Sequence, residues 1–406
     1  MKTSQRLNQL PINFFAGLNN RILALQKQGH DVIRLDIGSP DLPPDPAIIR
    51  TLAESAARPD VHGYQAHQGP PWLRQAWADM YRRLYEVELD PNGQILPLLG
   101  SKEGIFHLSQ SLLDPGDLVL VPDPGYITYT AGAKFAGAEV FSLPLLAEHD
   151  YLPDLDAIPT EIARQARLLW LNYPNNPTSA IASRGFFEGA IEFARRNQVL
   201  ICHDAAYTQV AFDGYRPPSL LEIPSASKVA VEFNTLSKSH NMAGWRTGAL
   251  LGNPHAVQAV LRLKTQLDSG HFLPILQATA AAMDADQAWL AARNAVYQQR
   301  RDLALKTLAE LGLRARTPRA ALYVWCAIPD GWTSLAFASE LLEKAHVSLT
   351  PGTVFGQNGE GYLRIALTAP LARMVDAAER LKAWLPRLET PHRRQSPPPL
   401  DRKVLE

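Results

Sequence analysis

The feature that most restricts how this chain can fold is a rhythm of short apolar runs separated by helix-length stretches. "DLVLVP" begins at 117, "EVFSLP" at 139, "LLWLNY" at 168, "QVLICHD" at 198, "KVAVEFN" at 228 and "TGALLGN" at 247. Runs this apolar suit strands covered on both faces. Between them lie stretches such as "SRGFFEGAIEFARRN", residues 183–197, whose apolar residues recur at helical spacing. The alternation predicts an α/β fold, with a mostly parallel sheet between two helical layers. After "LDSGHF" the pattern stays helical to about residue 311, and "LYVWCAI" and "YLRIAL" then flank one more helix, which predicts a smaller α+β domain. At 406 residues the chain exceeds what one core usually serves. The expected division is an amino-terminal arm with part of the small domain over 1–47, a large domain over 48–290, the small domain over 291–389 and a loose tail over 390–406. That tail, "TPHRRQSPPPLDRKVLE", combines proline and charge with little apolar content.

Forty basic and forty acidic residues cancel to a formal net charge of zero, so nothing electrostatic points to nucleic acid or an anionic membrane. The only cysteines, Cys202 and Cys326, each sit inside an apolar run, which argues against a disulfide framework or a thiolate metal site. No run approaches the roughly 18 apolar residues of a membrane span, and the amino terminus lacks a signal-like apolar core. The expected location is the cytoplasm.

Ligands of parallel sheets bind at the carboxyl ends of the strands, so the polar residues just after each apolar run belong together. Asp204 and Tyr207 follow "VLICH", "NYPNNPTS" begins at 172 after "LLWL", and Ser237 and Lys238 follow "VAVEFNTL". Taken alone, Asp204 could cap a following helix. Lys238 at the mouth of a buried sheet is readily deprotonated and can condense with a carbonyl to a Schiff base; the alternative is a structural salt bridge. The surrounding residues suit an anionic, aromatic aldehyde. "LLGSKEG", residues 98–104, is a Gly-Ser turn before the helical "IFHLSQSLL", where backbone N–H groups can bind phosphate. Ser237 and Arg246 add donors for the same phosphate. Asp204 would keep a ring nitrogen protonated, and Tyr126 could stack on the ring or simply pack. Arg364, amid the apolar run "YLRIAL", is costly to bury unless an anion meets it, either a substrate carboxylate or an internal acid.

These motifs, with "IGSPDLP" at 37, "HGYQAHQGPPWLRQA" at 62, "PDPGY" at 122, "HDAAY" at 203 and "SKSHNMAGWRTG" at 237, resemble over nearly the whole chain the class I/II aminotransferases, fold type I pyridoxal 5'-phosphate enzymes. The resemblance implies Lys238 as the lysine that carries the cofactor and shuttles a proton, and Asp204 as partner of its pyridine nitrogen. It implies Tyr207 and Asn176 at the phenolic oxygen, and Ser101, Lys102, Ser237 and Arg246 around the phosphate, with Tyr126 on the ring face. Tyr64 matches a tyrosine that reaches the phosphate of a neighbouring subunit, which implies a homodimer with shared active sites. Arg364, with a backbone N–H near Gly38, matches the holder of the substrate α-carboxylate, and Asn176 lies beside it. The implied reaction is amino transfer between an amino acid and a 2-oxo acid by a ping-pong route.

Two departures stand out: Ser179 replaces the usual glycine after "NPT", and His240 the usual tyrosine after the lysine-serine pair. Ser179 needs a backbone angle that glycine takes more easily; His240 reads as cover for the site rather than as part of it. No arginine occurs between Lys264 and Arg293, where strict dicarboxylate enzymes carry one. "GSKEGI", "YPNNPTS" and "LDSGHF" look most like the branch acting on LL-diaminopimelate with 2-oxoglutarate, which implies lysine biosynthesis, with Lys102 and Glu103 as candidates for the distal end of the substrate. The alternatives are an alanine, aspartate or N-succinyldiaminopimelate aminotransferase, a lyase on the same fold, or a non-catalytic ligand-sensing module.

Overall fold

A computed structural model describes residues 2–10 and 14–385 of the chain. The tail expected over 390–406 lies outside the described residues. A two-residue strand, β1 (Ile33–Arg34), precedes the main sheet. The apolar runs then form β2 (Ile95–Leu98), β3 (Leu118–Asp123), β4 (Glu139–Pro144), β5 (Ala166–Leu171), β6 (Leu200–Asp204), β7 (Ala230–Thr235) and β8 (Gly248–Gly252). These make one seven-stranded sheet in the order β2-β8-β7-β6-β5-β3-β4. Only β8 runs against its neighbours, so the sheet is mostly parallel, as the sequence predicts.

Side chains alternate between two apolar layers, as the strand period requires. Leu169 and Leu171 face one core with Trp77, Tyr81 and Phe187, while Leu168 and Trp170 face another with Ile105, Cys202, Val231 and Phe233. The helix Arg184–Asn197 starts where the Ser183 hydroxyl accepts from the Phe186 N–H at 3.1 Å, and it buries Phe187, Ala190, Ile191 and Ala194 on the sheet. Truncating a ring like Phe187 to alanine costs about 3–5 kcal/mol. Both cysteines are buried and unpaired with one another.

A second, antiparallel sheet has the order β11-β12-β9, built from β9 (Tyr323–Ala327), β11 (Thr350–Pro351) and β12 (Tyr362–Ala366), while β10 (Val347–Ser348) pairs with β1 in parallel. Its core joins Ile33 and Leu35 to Tyr297, Phe337, Met374 and Leu381, and residues Ala206, Tyr207, Val210 and Phe212 reach into it from the large sheet. The amino-terminal segment is thereby fastened to the carboxyl-terminal sheet, which carries Asp36 and Gly38 to the ends of β6 and β7. No helix among the described residues is long and apolar enough to cross a membrane.

Candidate active site

Lys238 lies just past β7 on the four-residue helix Leu236–Ser239, whose start is fixed by the Thr235 hydroxyl accepting from the Ser237 N–H at 3.1 Å. Its Nζ donates to the Gly38 carbonyl at 2.5 Å, across 200 residues of chain. Burial, with the nearby Arg364 and Arg246 guanidiniums, pushes its ammonium below the ordinary lysine value, against Tyr323 and Asp204. An amine so placed is a nucleophile and a proton carrier.

Asp204 ends β6, and a turn rather than a helix follows it, which removes the capping alternative. Its Oδ2 accepts from the Tyr129 hydroxyl at 2.8 Å, and its carbonyl accepts from Asn172 Nδ2 at 2.7 Å. Burial pushes the carboxyl up to about 6, against the Tyr129 hydrogen bond. Its Oδ1 is buried without a hydrogen-bond partner, an arrangement that costs free energy unless a ligand donor meets it. A protonated ring nitrogen is such a donor, so the residues present fit a pyridinium cofactor.

The turn expected to bind phosphate lies at the start of the helix Ser101–Leu112. Gly100 precedes it at φ +80, and a side chain there would collide with Arg246 Nη2, so glycine is required both by the turn and by the close approach. Arg246, in left-handed backbone at φ 58, donates to the Leu99 and Ala243 carbonyls at 3.3 and 3.0 Å. Ser237 is buried, its hydroxyl accepting from Thr235 at 2.9 Å. Free N–H groups at a helix start with a guanidinium beside them form an anion cradle. Tyr126 packs edge-on to Tyr129 at 5.6 Å.

On the opposite side, Arg364 of β12 is buried between the rings of Tyr323 and Phe355, 4.3 and 4.7 Å from their centroids. It donates to Asn176 Oδ1 and to the Asp36 carbonyl, both at 2.9 Å, and pairs with no carboxylate among the described residues. Its Nε is buried without a partner, so the guanidinium keeps an unsatisfied donor and a charge that no carboxylate among the described residues neutralises. Tyr207 and Tyr323 share a hydroxyl hydrogen bond of 2.7 Å beside it.

The structure therefore gathers Gly38, Ser101, Tyr126, Asn176, Asp204, Tyr207, Ser237, Lys238, Arg246 and Arg364 near the ends of β6 and β7. It does not bring in Tyr64, which is 94% exposed, nor the exposed Lys102 side chain. Glu103 is unsuited to substrate contact because its carboxylate is taken up by Lys264, His107 and the Leu99 N–H. Ser179 adopts φ 56, the strain its place suggests, and its hydroxyl donates to the Tyr323 carbonyl at 2.8 Å. His240 is buried, bonded to Ser239 at 2.9 Å and stacked on Trp289; burial pushes it down to about 3, which suits a neutral packing role.

Three residues escaped the sequence reading. Tyr129 was detectable, since it lies three residues after Tyr126, at the start of the helix Thr128–Ala136. Tyr323 hides in an apolar strand run. Arg293 donates to the Lys238 and Gln209 carbonyls at 3.2 and 2.9 Å from a long helix with no local signal; burial pushes it down to about 10.

A family model described as aminotransferase class I and II matches residues 30–381. An LL-diaminopimelate aminotransferase of Moorella thermoacetica is 45% identical over 389 residues, covering 96% of this chain and 100% of the relative. Another from Desulforudis audaxviator is 47% identical over 385 residues, covering 95% and 98%. Among solved structures, substrate-bound BacF from Bacillus subtilis superposes with a TM-score of 0.91 at 35% identity, covering 94% of this chain and 98% of that one. A probable N-succinyldiaminopimelate aminotransferase from Thermus thermophilus gives 0.86 at 36% identity, covering 91% and 100%.

Proposed function

The chain belongs to the class I and II aminotransferases, and from that footing we propose that it transfers the amino group of LL-diaminopimelate to 2-oxoglutarate. As a member of that family it is a pyridoxal phosphate-dependent enzyme acting on an amino acid and a 2-oxo acid. The observation that carries the substrate choice is the 45% and 47% identity to relatives of that name over nearly the whole chain. The absence of arginine from 265 to 292 counts only against a strict dicarboxylate enzyme, which carries such a cation there.

When bound, pyridoxal phosphate supplies a carbonyl carbon that takes up an amine and a conjugated ring that can hold an electron pair. Asp204, kept in place by Tyr129 and Asn172, would hold the ring nitrogen protonated through its unpaired oxygen. The backbone at Ser101 and Lys102, with the side chains of Ser237 and Arg246, would hold the phosphate. Asn176 and Tyr207 would meet the phenolic oxygen, and Tyr126 would cover the ring face. The Arg364 guanidinium would take the substrate α-carboxylate, with the Gly38 backbone opposite. Lys238 would hold the cofactor's carbonyl carbon and would accept the substrate Cα proton at Nζ; its lowered pKa favours the neutral amine that this needs.

Tyr64 is exposed in a single chain, which supports its serving the phosphate of a second copy; the active unit is then a homodimer with shared sites. The same reading places the enzyme in the cytoplasm, in lysine biosynthesis, with a large domain over 48–290 binding the cofactor and a small domain over 291–389 joined by the arm. A half-reaction screen tests the substrate. Single amino acids are mixed with the holoenzyme and bleaching of the cofactor's visible band is followed. Fast bleaching by LL-diaminopimelate and glutamate is the expected result. A far higher specificity constant for alanine, an aromatic amino acid or N-succinyldiaminopimelate would overturn the substrate while leaving the family untouched.

A further inference from the structure

Behind the phosphate-binding turn sits a buried ionic cluster that none of these roles uses. Lys264, 2% exposed on the helix Pro254–Leu267, donates to Glu103 Oε1 at 2.8 Å and to Asp268 Oδ1 at 2.7 Å. Glu103 Oε2 accepts from the Leu99 N–H at 3.0 Å, and the Leu99 carbonyl accepts from Arg246 at 3.3 Å. Asp268 opens the loop to His271, whose Nε2 donates to the Arg246 carbonyl at 2.6 Å. One ammonium thus anchors two paths to the phosphate cradle, through the Leu99–Gly100 turn and through the backbone of Arg246.

The charges explain why a lysine is needed. Glu103, His107 and Asp268 each place a polar atom within 4.8 Å of the others. Two carboxylates that close repel strongly unless a cation lies between them. Burial works to raise the Glu103 carboxyl, but His107 and Lys264 outweigh it and hold it below the usual range. Asp268 is raised, by burial first and by Glu103 in addition, despite Lys264. Removing the ammonium would leave the Glu103 and Asp268 carboxylates pushing apart the turn and the loop they fasten.

We propose that Lys264 is a positioning residue for the cofactor phosphate, neutralising Glu103 and Asp268 so that the Gly100–Ser101 turn and Arg246 stay in their anion-binding arrangement. This rests on the reading of that turn as the phosphate cradle. The groups facing the Lys264 ammonium are Glu103 and His107 from the helix Ser101–Leu112, and Asp268 and His271 from the following loop.

The test is the affinity of cofactor-stripped enzyme for pyridoxal phosphate, read from the visible band. Failure of the unaltered enzyme to bind would defeat the cofactor reading itself, whatever the variants do. If it binds, Lys264→Met should bind about tenfold more weakly or worse, since breaking a buried ion pair is costly. Lys264→Met with Glu103→Gln should recover most of that loss, because the amide keeps the Leu99 contact and removes the repulsion. The deficit of the single variant relative to the unaltered enzyme should also shrink from pH 8 toward pH 5.5, as the carboxylate pair takes up a proton, and the deficit of the double variant should not. Unchanged affinity in Lys264→Met, or a double variant no better than the single one, overturns the proposal. So does failure of both to fold, because the second change removes the fault assigned to the first.

Discussion

Asp204 reaches the site at the end of a parallel strand, whereas Arg364 reaches it from the middle of an antiparallel one. At the end of β6 the carboxylate needs little help: the Tyr129 hydroxyl donates to one oxygen, Asn172 ties the Asp204 backbone carbonyl, and the other carboxylate oxygen stays buried and unpaired. Inside β12 the guanidinium is walled by Tyr323 and Phe355 and tied to Asn176 and Asp36, and of these four partners Asp36 and Asn176 come from far along the chain. Both groups keep one buried polar atom unpaired, and the two are opposite in charge. In the proposed function the large sheet presents the acceptor for a protonated ring, and the small sheet the donor for a carboxylate. A strand end exposes chemistry through topology alone; a strand interior must enclose it with neighbours, so it tolerates less change in them.

Breaking the large-sheet side should cost most. Asp204→Asn is expected to retain cofactor but lower kcat by about 10²–10³, since charge developing on the ring loses its partner. Cofactor-free protein should respond in the opposite direction. Burial raises Asp204 from 3.8 to about 6, so folding takes up a proton, and this stabilisation is complete below pH 4 and lost as pH rises through 6. Asn carries no such loss. Denaturant unfolding of the cofactor-free variant should therefore show a gain above pH 7 of up to about 3 kcal/mol that vanishes by pH 4. A variant less stable than the unaltered protein at pH 8 would show that Asp204 is not strained by its burial.

Breaking the small-sheet side should act on binding. Arg364→Lys loses the planar fork, and KM for the amino acid should rise about 10–100-fold with a smaller change in kcat, the scale of one charge-assisted hydrogen-bond pair. A kcat effect larger than the KM effect would move Arg364 out of carboxylate binding. Tyr64→Ala should weaken cofactor affinity about tenfold, the loss of one hydrogen bond to a charged group. Mixing it with Lys238→Ala should restore activity, because one of the two sites in a mixed dimer carries neither change; no recovery on mixing would contradict site sharing. The smallest effect is expected at Ser179→Gly. Relief of the φ 56 strain and loss of the bond to Tyr323 nearly cancel, so stability should move by less than about 1 kcal/mol.

The same contrast explains what the sequence disclosed. Asp204, Lys238 and the "NYPNNPTS" loop each follow an apolar run directly, so strand pattern and site position coincide and can be read together. The cradle at Ser101 and Arg246 was legible for a similar reason, a glycine turn before a helix. Tyr323, Phe355 and Arg293 are ordinary core residues by pattern, and only the packing of separate segments brings them to Arg364 or Lys238. Glu103 misled in the other direction: adjacent in sequence to the cradle, it faces Lys264 inside the fold.

The central claim is that Lys238 carries the cofactor, and borohydride reduction of the purified yellow holoenzyme followed by peptide mass mapping tests it most directly. The account predicts a pyridoxyl group on the peptide containing Lys238 and none on Lys102 or Lys264. A pyridoxyl group on another lysine, or a colourless protein that gains no visible band with added pyridoxal phosphate, would contradict it.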